Sequence, residues 1–186
     1  APNRSFDPPT ATLRLPAPGY GAAGPEVGEP DYDDLIPPAS GCADALPRTD
    51  GNPTPRSLPT LVADKVSGLF LAQAVTAALF HRGRTGQGQF VEVPMFESIV
   101  AFNLVEHLYG EQFVPAKGTM GYPRAMAAWR RPLPTLDGYI CTLPYTDAHC
   151  RAFFTEAGQP ELIAERRFAA VGVRLPSAVS ASSTGC

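Results

Sequence analysis

The residue of this chain best suited to do chemistry is Asp64, in the stretch Leu61–Gln89, LVADKVSGLFLAQAVTAALFHRGRTGQGQ. It precedes a run rich in small and apolar residues that ends in a basic, glycine-rich turn. A carboxylate nucleophile has to be ionised, held still and within reach of a bound substrate. A helix N-terminus meets these needs, because the side chain can accept free backbone N–H groups at the positive end of the helix dipole. The plainer reading of the same position is an N-cap without chemistry. Other constellations are weaker. His149 and Cys150 are sequence neighbours, and adjacency on a helix points side chains in different directions. His81, His107 and His149 lack the spacing of a zinc site. Gly83 to Gln89 lacks the G-x-x-x-x-G-K-[ST] pattern of a phosphate loop and follows a helix instead of opening one.

The elements that would position Asp64 can be read around it. Lys65 to about Arg82 has helical periodicity at Val66, Leu69, Phe70, Ala74, Val75, Ala78 and Leu79, and Gly83 is a plausible stop. Gly86-Gln87-Gly88 turns the chain into Gln89–Val93, which alternates like a strand. Phe96 to Tyr109 reads as a second helix ended by Gly110. Asp137-Gly138 marks a turn leading into a strand over Tyr139–Leu143. Thr146 or Asp147 caps a third helix that runs to about Ala157, stopped by Gly158 and Pro160. Helices alternating with short strands predict an α/β class.

Proline divides the chain. Thirteen of the 21 prolines fall in residues 1–60, so that segment cannot hold long helices and reads as an irregular arm. Gly19-Tyr20-Gly21 and Asp31 to Ile36 stand out in it as ordered islands. The net charge of −3, with both signs scattered, gives no sign of a nucleic-acid groove or an anionic membrane partner. No apolar run approaches the roughly 18 residues needed to span a bilayer. No apolar signal-peptide core is visible at the N-terminus, and Asn3-Arg4-Ser5 reads as a chance glycosylation match. Four cysteines (Cys42, Cys141, Cys150, Cys186) lie far apart without a C-x-x-C pair, which suits a reducing, cytoplasmic setting.

Taken in order, these residues resemble the family III CoA-transferases, the CaiB/BaiF family that includes the alpha-methylacyl-CoA racemases. Gly19-Tyr20-Gly21 with Gly24-Pro25 is similar to the family's G-[FY]-G-x-x-G-P loop. Tyr32-Asp33 followed by Ala39-Ser40-Gly41 is similar to its Y-D…S-G segment. Ala63-Asp64, Gly68 and Ala77-Ala78-Leu79 match its A-D…G…A-A-L helix. Arg82, Arg84-Thr85-Gly86 and Gly88-Gln89 match its R-x-R-T-G-x-G-Q turn, with Met95 and Glu97 following. Thr135-Leu136-Asp137-Gly138, Gln159-Pro160-Glu161-Leu162 and Arg167-Phe168 resemble later motifs. The set covers roughly residues 19–168, while Ala1 to about Pro18 and Val171 to Cys186 lose the pattern.

The resemblance implies a partial family fold: part of a Rossmann-like large domain plus a small α/β domain, forming an interlocked dimer in full-length relatives. Residues 61–110 would be large-domain material, 111–170 a portion of the small domain and 171–186 a low-complexity tail. Family members are much longer, so the chain reads as a fragment. Asp64 stands at the family's catalytic aspartate, which implies CoA transfer from an acyl-CoA to a carboxylic acid through an aspartyl-CoA thioester. Coenzyme A is then substrate and product, with no further cofactor and no metal. Tyr20, Tyr32, Asp33, Arg82, Arg84 and Asp147 are candidates for holding substrate or CoA. The alternatives are an inactive remnant, or racemisation alpha to the thioester. In the racemase branch a histidine precedes the aspartate matching Asp33. Tyr32 occupies that place here, and a tyrosine with a reference pKa of about 10 is a poor base near neutrality.

Overall fold

The computed structural model describes residues 11–165 and Phe168, and these divide into two compact units, Ala1–Met120 and Gly121–Cys186. The readings made of Asn3-Arg4-Ser5, Arg167 and the 171–186 tail lie outside the described residues.

The first unit is built on helices. Two short ones, α1 (Ile36–Ala39) and α2 (Ala45–Asp50), are joined by a 3-10 turn over Cys42–Asp44. They are followed by α3 (Val62–Thr85) and α4 (Met95–His107), and a 3-10 turn at Tyr109–Gln112 ends the run. The brevity of α1 and α2 follows from the prolines around them. Helix α3 starts three residues earlier than the periodicity from Lys65 predicts, and it ends later. Gly83 continues the helix, and Gly86, at φ 72°, takes the left-handed position that closes it. Its N–H donates to the carbonyl of Arg82 at 2.8 Å.

The strand expected over Gln89–Val93 is reduced to a single parallel bridge between Arg14 and Phe90. Residues 14–19 nonetheless run alongside 89–96. Arg14 donates to the Gln89 carbonyl, and Val91, Val93, Met95 and Phe96 donate to the carbonyls of Arg14, Pro16, Pro18 and Gly19. Pro16 and Pro18 have no N–H to return, so the traffic is one-way there and no regular ladder forms.

The core of the unit is Ile36 from α1, Ala63 and Val66 from α3 and Ile99 from α4, with Tyr20, Cys42, Val62, Met95 and Phe96 packed around it. Ile36 and Ile99 are fully buried. This core lies directly beneath the first turn of α3. Further along, Leu69 and Phe80 of α3 and Phe102 of α4 are each more than half exposed. Helix α3 also corrects the reading that nothing here is long and apolar enough to span a bilayer. Its mean hydropathy reaches 1.3 over an 18-residue window, although only 22% of that window is buried. Scattered Lys65, Gln73 and Thr76 keep each uninterrupted apolar run short, while alanine, leucine and phenylalanine hold the average up. By length and composition α3 could cross a membrane; in this unit it packs against α4 and α1.

The second unit carries a small antiparallel hairpin of β1 (Leu133–Pro134) and β2 (Tyr139–Ile140), with Leu133 opposite Ile140. Thr135 donates its N–H to the Gly138 carbonyl and its hydroxyl to Asp137 Oδ1, which closes the turn read from Asp137-Gly138. The strand stops at Ile140, short of the expected Leu143. Helix α5 (Asp147–Glu156) follows, and a 3-10 segment, Pro160–Ala164, comes after Gly158. Among the described residues the regular structure is therefore mostly helix, with less sheet than an α/β reading predicts.

Candidate active site

Asp64 is the third residue of α3, within its first turn instead of ahead of the helix. Its side chain is exposed. The residue at the cap position is Leu61, whose side chain has no oxygen to offer the free N–H groups of the first turn. The missing acceptor comes from elsewhere: Asp33 Oδ1 receives the backbone N–H of Asp64 at 3.0 Å, across 31 residues of sequence. The carbonyl of Asp64 accepts from Ser67 Oγ at 3.1 Å. The neighbours of Asp64 on the buried side, Ala63 and Val66, belong to the core.

Asp33 is half-buried in the turn that opens α1. The carbonyl of the preceding Tyr32 receives the N–H groups of Leu35 and Ile36 at 2.9 and 3.2 Å, while the Tyr32 ring is 73% exposed. A cleft of about 350 Å³ opens beside this turn, lined by Asp33, Asp34, Pro37, Ser57, Leu58, Pro59, Thr60, Leu61 and Val62. It adjoins the start of α3, and Lys65 Nζ donates to Thr60 Oγ1 at its edge.

The glycine loop lies in the same unit. Gly19 donates its N–H to Asp31 Oδ2 at 2.8 Å, Gly21 to Glu97 Oε1 at 3.0 Å and Ala22 to Glu92 Oε2 at 3.3 Å. A Cβ on Gly19 would fall 1.7 Å from the Asp31 Cβ, so that position requires glycine, whereas one on Gly21 would meet only the flexible end of Glu97, 2.4 Å from Oε1. Tyr20 is half-buried with its ring 5.4 Å from that of Phe96. It anchors the loop to α4.

The remaining candidates lie elsewhere. Arg82 and Arg84 occupy the last turn of α3, so Arg82 is about 27 Å from Asp64 along the helix axis at 1.5 Å per residue. Arg82 Nη1 donates to the Ala11 carbonyl at 3.3 Å, and the Arg84 guanidinium rests 5.6 Å from the Phe80 ring centre. Asp147 belongs to the second unit, where it is the first residue of α5. The cap there is Thr146, whose Oγ1 accepts the His149 N–H at 3.1 Å while His149 Nδ1 faces the Thr146 N–H at 3.5 Å. His149 is thus part of a capping box, and Cys150 Sγ points at the Pro144 carbonyl. The structure therefore brings Asp33 to Asp64 and leaves both arginines at the far end of the helix. Reasoning from sequence placed Asp31 in an ordered island and Glu97 in a family motif, but it gave neither of them, nor Glu92, the role of fastening the loop. Glycines at 19 and 21 signal a close approach, but no local pattern identifies what approaches.

Residues 15–182 match the family described as CoA-transferase family III, and the chain belongs to that family. The match reaches past residue 171, where reading motif by motif loses the pattern. The chain is 33% identical over 180 residues to the probable fatty acyl-CoA transferase Rv3272 of Mycobacterium tuberculosis, which covers 89% of this chain and 44% of that protein. It is 37% identical to the acetyl-CoA:oxalate CoA-transferase of Acetobacter aceti over 84 residues, covering 45% of this chain and 21% of that one. The crystal structure of Rv3272 superposes with a TM-score of 0.72 at 27% identity, over 92% of this chain and 44% of that chain. A CaiB/BaiF family protein from Brucella suis has the same fold, with a TM-score of 0.67 at 23% identity, over 94% of this chain and 46% of that chain. The described residues therefore form part of the family III fold. The chain spans somewhat less than half the length of these solved relatives.

Proposed function

We propose that this chain carries the nucleophilic aspartate of a CoA-transferase, which moves CoA from an acyl-CoA donor to a carboxylic acid. The observation that supports it best is the setting of Asp64: an exposed carboxylate in the first turn of α3, with its backbone tied by Asp33 and its neighbours seated in the core. In this reading Asp64 attacks the thioester carbonyl. A carbon–oxygen bond forms, the carbon–sulfur bond breaks, and CoA leaves as the thiolate, leaving a mixed anhydride between Asp64 and the acyl group. The thiolate then attacks the Asp64 carbonyl of that anhydride, releasing the donor acid and leaving an aspartyl-CoA thioester. The acceptor carboxylate displaces CoA again, and the returning thiolate takes the acceptor's acyl group and frees Asp64. One difficult exchange is thereby divided into easier covalent steps.

CoA is a substrate and product here, and no further cofactor enters. The family relatives named as transferring CoA to oxalate and malate share a carboxylic acid acceptor, and we extend that acceptor class to this chain. A homodimer in the cytoplasm completes the proposal.

The test is intact-protein mass after incubation with a panel of acyl-CoAs, run beside Asp64→Asn. A CoA-sized or acyl-sized adduct that maps to Asp64 and vanishes in the variant is the expected result. A parent chain that gains no adduct from any thioester, or an Asp64→Asn variant that still turns over, would overturn the proposal. A racemase would instead exchange the alpha proton of its substrate in deuterated water, which the transferase steps never do.

A further inference from the structure

We infer that Asp33 is a positioning residue for Asp64, supplying from a distant turn the helix cap that α3 lacks in its own sequence. The inference rests on Asp64 being the nucleophile proposed above. Three observations carry it. Leu61 at the cap position offers no side-chain acceptor, and while the Val62 N–H finds the Thr60 carbonyl at 2.8 Å, the Asp64 N–H has its acceptor only in Asp33. An ordinary cap oxygen accepts from the second or third residue of its helix, and Asp33 Oδ1 accepts from the third residue, which is Asp64 itself. Both partners also stand on one foundation. Ile36, three residues after Asp33, is fully buried in the same core as Ala63 and Val66, which flank Asp64.

Asp33 therefore acts on the backbone of the nucleophile. It fixes the Cα from which the Asp64 carboxylate extends, and with it the angle at which that carboxylate meets a thioester. Loss of this anchor leaves the carboxylate present but imprecisely aimed, and small misplacements at a reacting centre cost up to about 10²-fold in rate. The relevant property of Asp33 is an acceptor oxygen at one place. Asparagine keeps that oxygen; alanine removes it.

The experiment uses the full chain and follows the rate of Asp64 modification by an acyl-CoA, as a function of its concentration, in the parent, Asp33→Asn and Asp33→Ala. Circular dichroism confirms that each variant is folded. The expected result is a saturating rate within about threefold of the parent for Asp33→Asn and at least tenfold lower for Asp33→Ala, with the half-saturating concentration unchanged in both, as misplacement alone would give. In parallel, amide hydrogen exchange at Asp64 should accelerate in Asp33→Ala and stay slow in Asp33→Asn.

If Asp33→Ala modifies Asp64 as fast as the parent, the inference is wrong. Equal slowing in Asp33→Asn would mean that the charge matters and not the acceptor, which also overturns it. A shift confined to the half-saturating concentration would make Asp33 a substrate contact instead. A parent chain that forms no adduct removes the proposed function and this inference with it, whereas a reactive parent with a reactive Asp33→Ala removes the inference alone.

Discussion

Replacing Ile99 by alanine should loosen the support of Asp64 without touching it. Ile99 is fully buried in a core whose other members are Ile36, Ala63 and Val66, and the last two lie in the first two turns of α3, either side of Asp64. The substitution removes three carbons from water-free surroundings, which at about 0.8 kcal/mol per methylene is about 2.4 kcal/mol of lost transfer energy. A cavity adds to this, but the half-buried Tyr20, Met95 and Phe96 around the core can move into part of the space. The total is then about 3 kcal/mol, toward the lower side of the roughly 2–5 kcal/mol typical of such changes. For a unit of this size that corresponds to a fall in Tm on the order of 10 °C. Ile99→Val, one methylene smaller, should cost about 1 kcal/mol. Thermal and urea unfolding followed by far-ultraviolet circular dichroism would read both values. Because Ile36 belongs to the same cluster, Ile36→Val combined with Ile99→Val should depart from additivity by at least about 0.5 kcal/mol. An Ile99→Ala protein that melts within about 2 °C of the parent would refute the placement of the core under α3, since filling by neighbours alone cannot restore the lost transfer term.

Two further outcomes follow from particular contacts. Thr146→Ala removes the acceptor of the His149 N–H and should destabilise α5 by about 1 kcal/mol in denaturant unfolding, whereas Thr146→Ser should cost almost nothing. The Asp50 carboxyl is held below its ordinary value of 3.8, first by the hydrogen bond from Arg56 and then by the Asn52 N–H. A depressed acid stabilises the folded state above its unfolded pKa, and that contribution disappears as pH falls through the lower folded value. Arg56→Ala should therefore weaken the protein at neutral pH by more than it does once Asp50 is protonated, the difference being the contribution of the Asp50–Arg56 pair. Carbon-detected NMR titration should show Asp50 returning toward 3.8 in that variant.

How much of this was legible in the sequence depends on the range of the interaction. Thr146 caps α5 from within three residues, and Asp137-Gly138 turns its hairpin from within four, so local chemistry was enough to find both. The strand over 89–93 failed for a non-local reason. Its neighbour is the proline-bearing segment 14–19, and the side that cannot donate lies about 75 residues away from the side that looks like a strand. The helix start failed in a more instructive way. An aspartate before an apolar run reads as a cap, so the helix was expected to begin after Asp64. Leu61 and Val62 are poor beginnings on local grounds, and α3 begins there because Asp33 supplies the cap from 31 residues upstream. The misplaced boundary and the proposed positioning role thus have one physical cause. Had Asp64 capped its own helix, its carboxylate would be turned back onto the backbone N–H groups and occupied there. With Asp33 in that role, the Asp64 carboxylate is released from capping and can face a substrate.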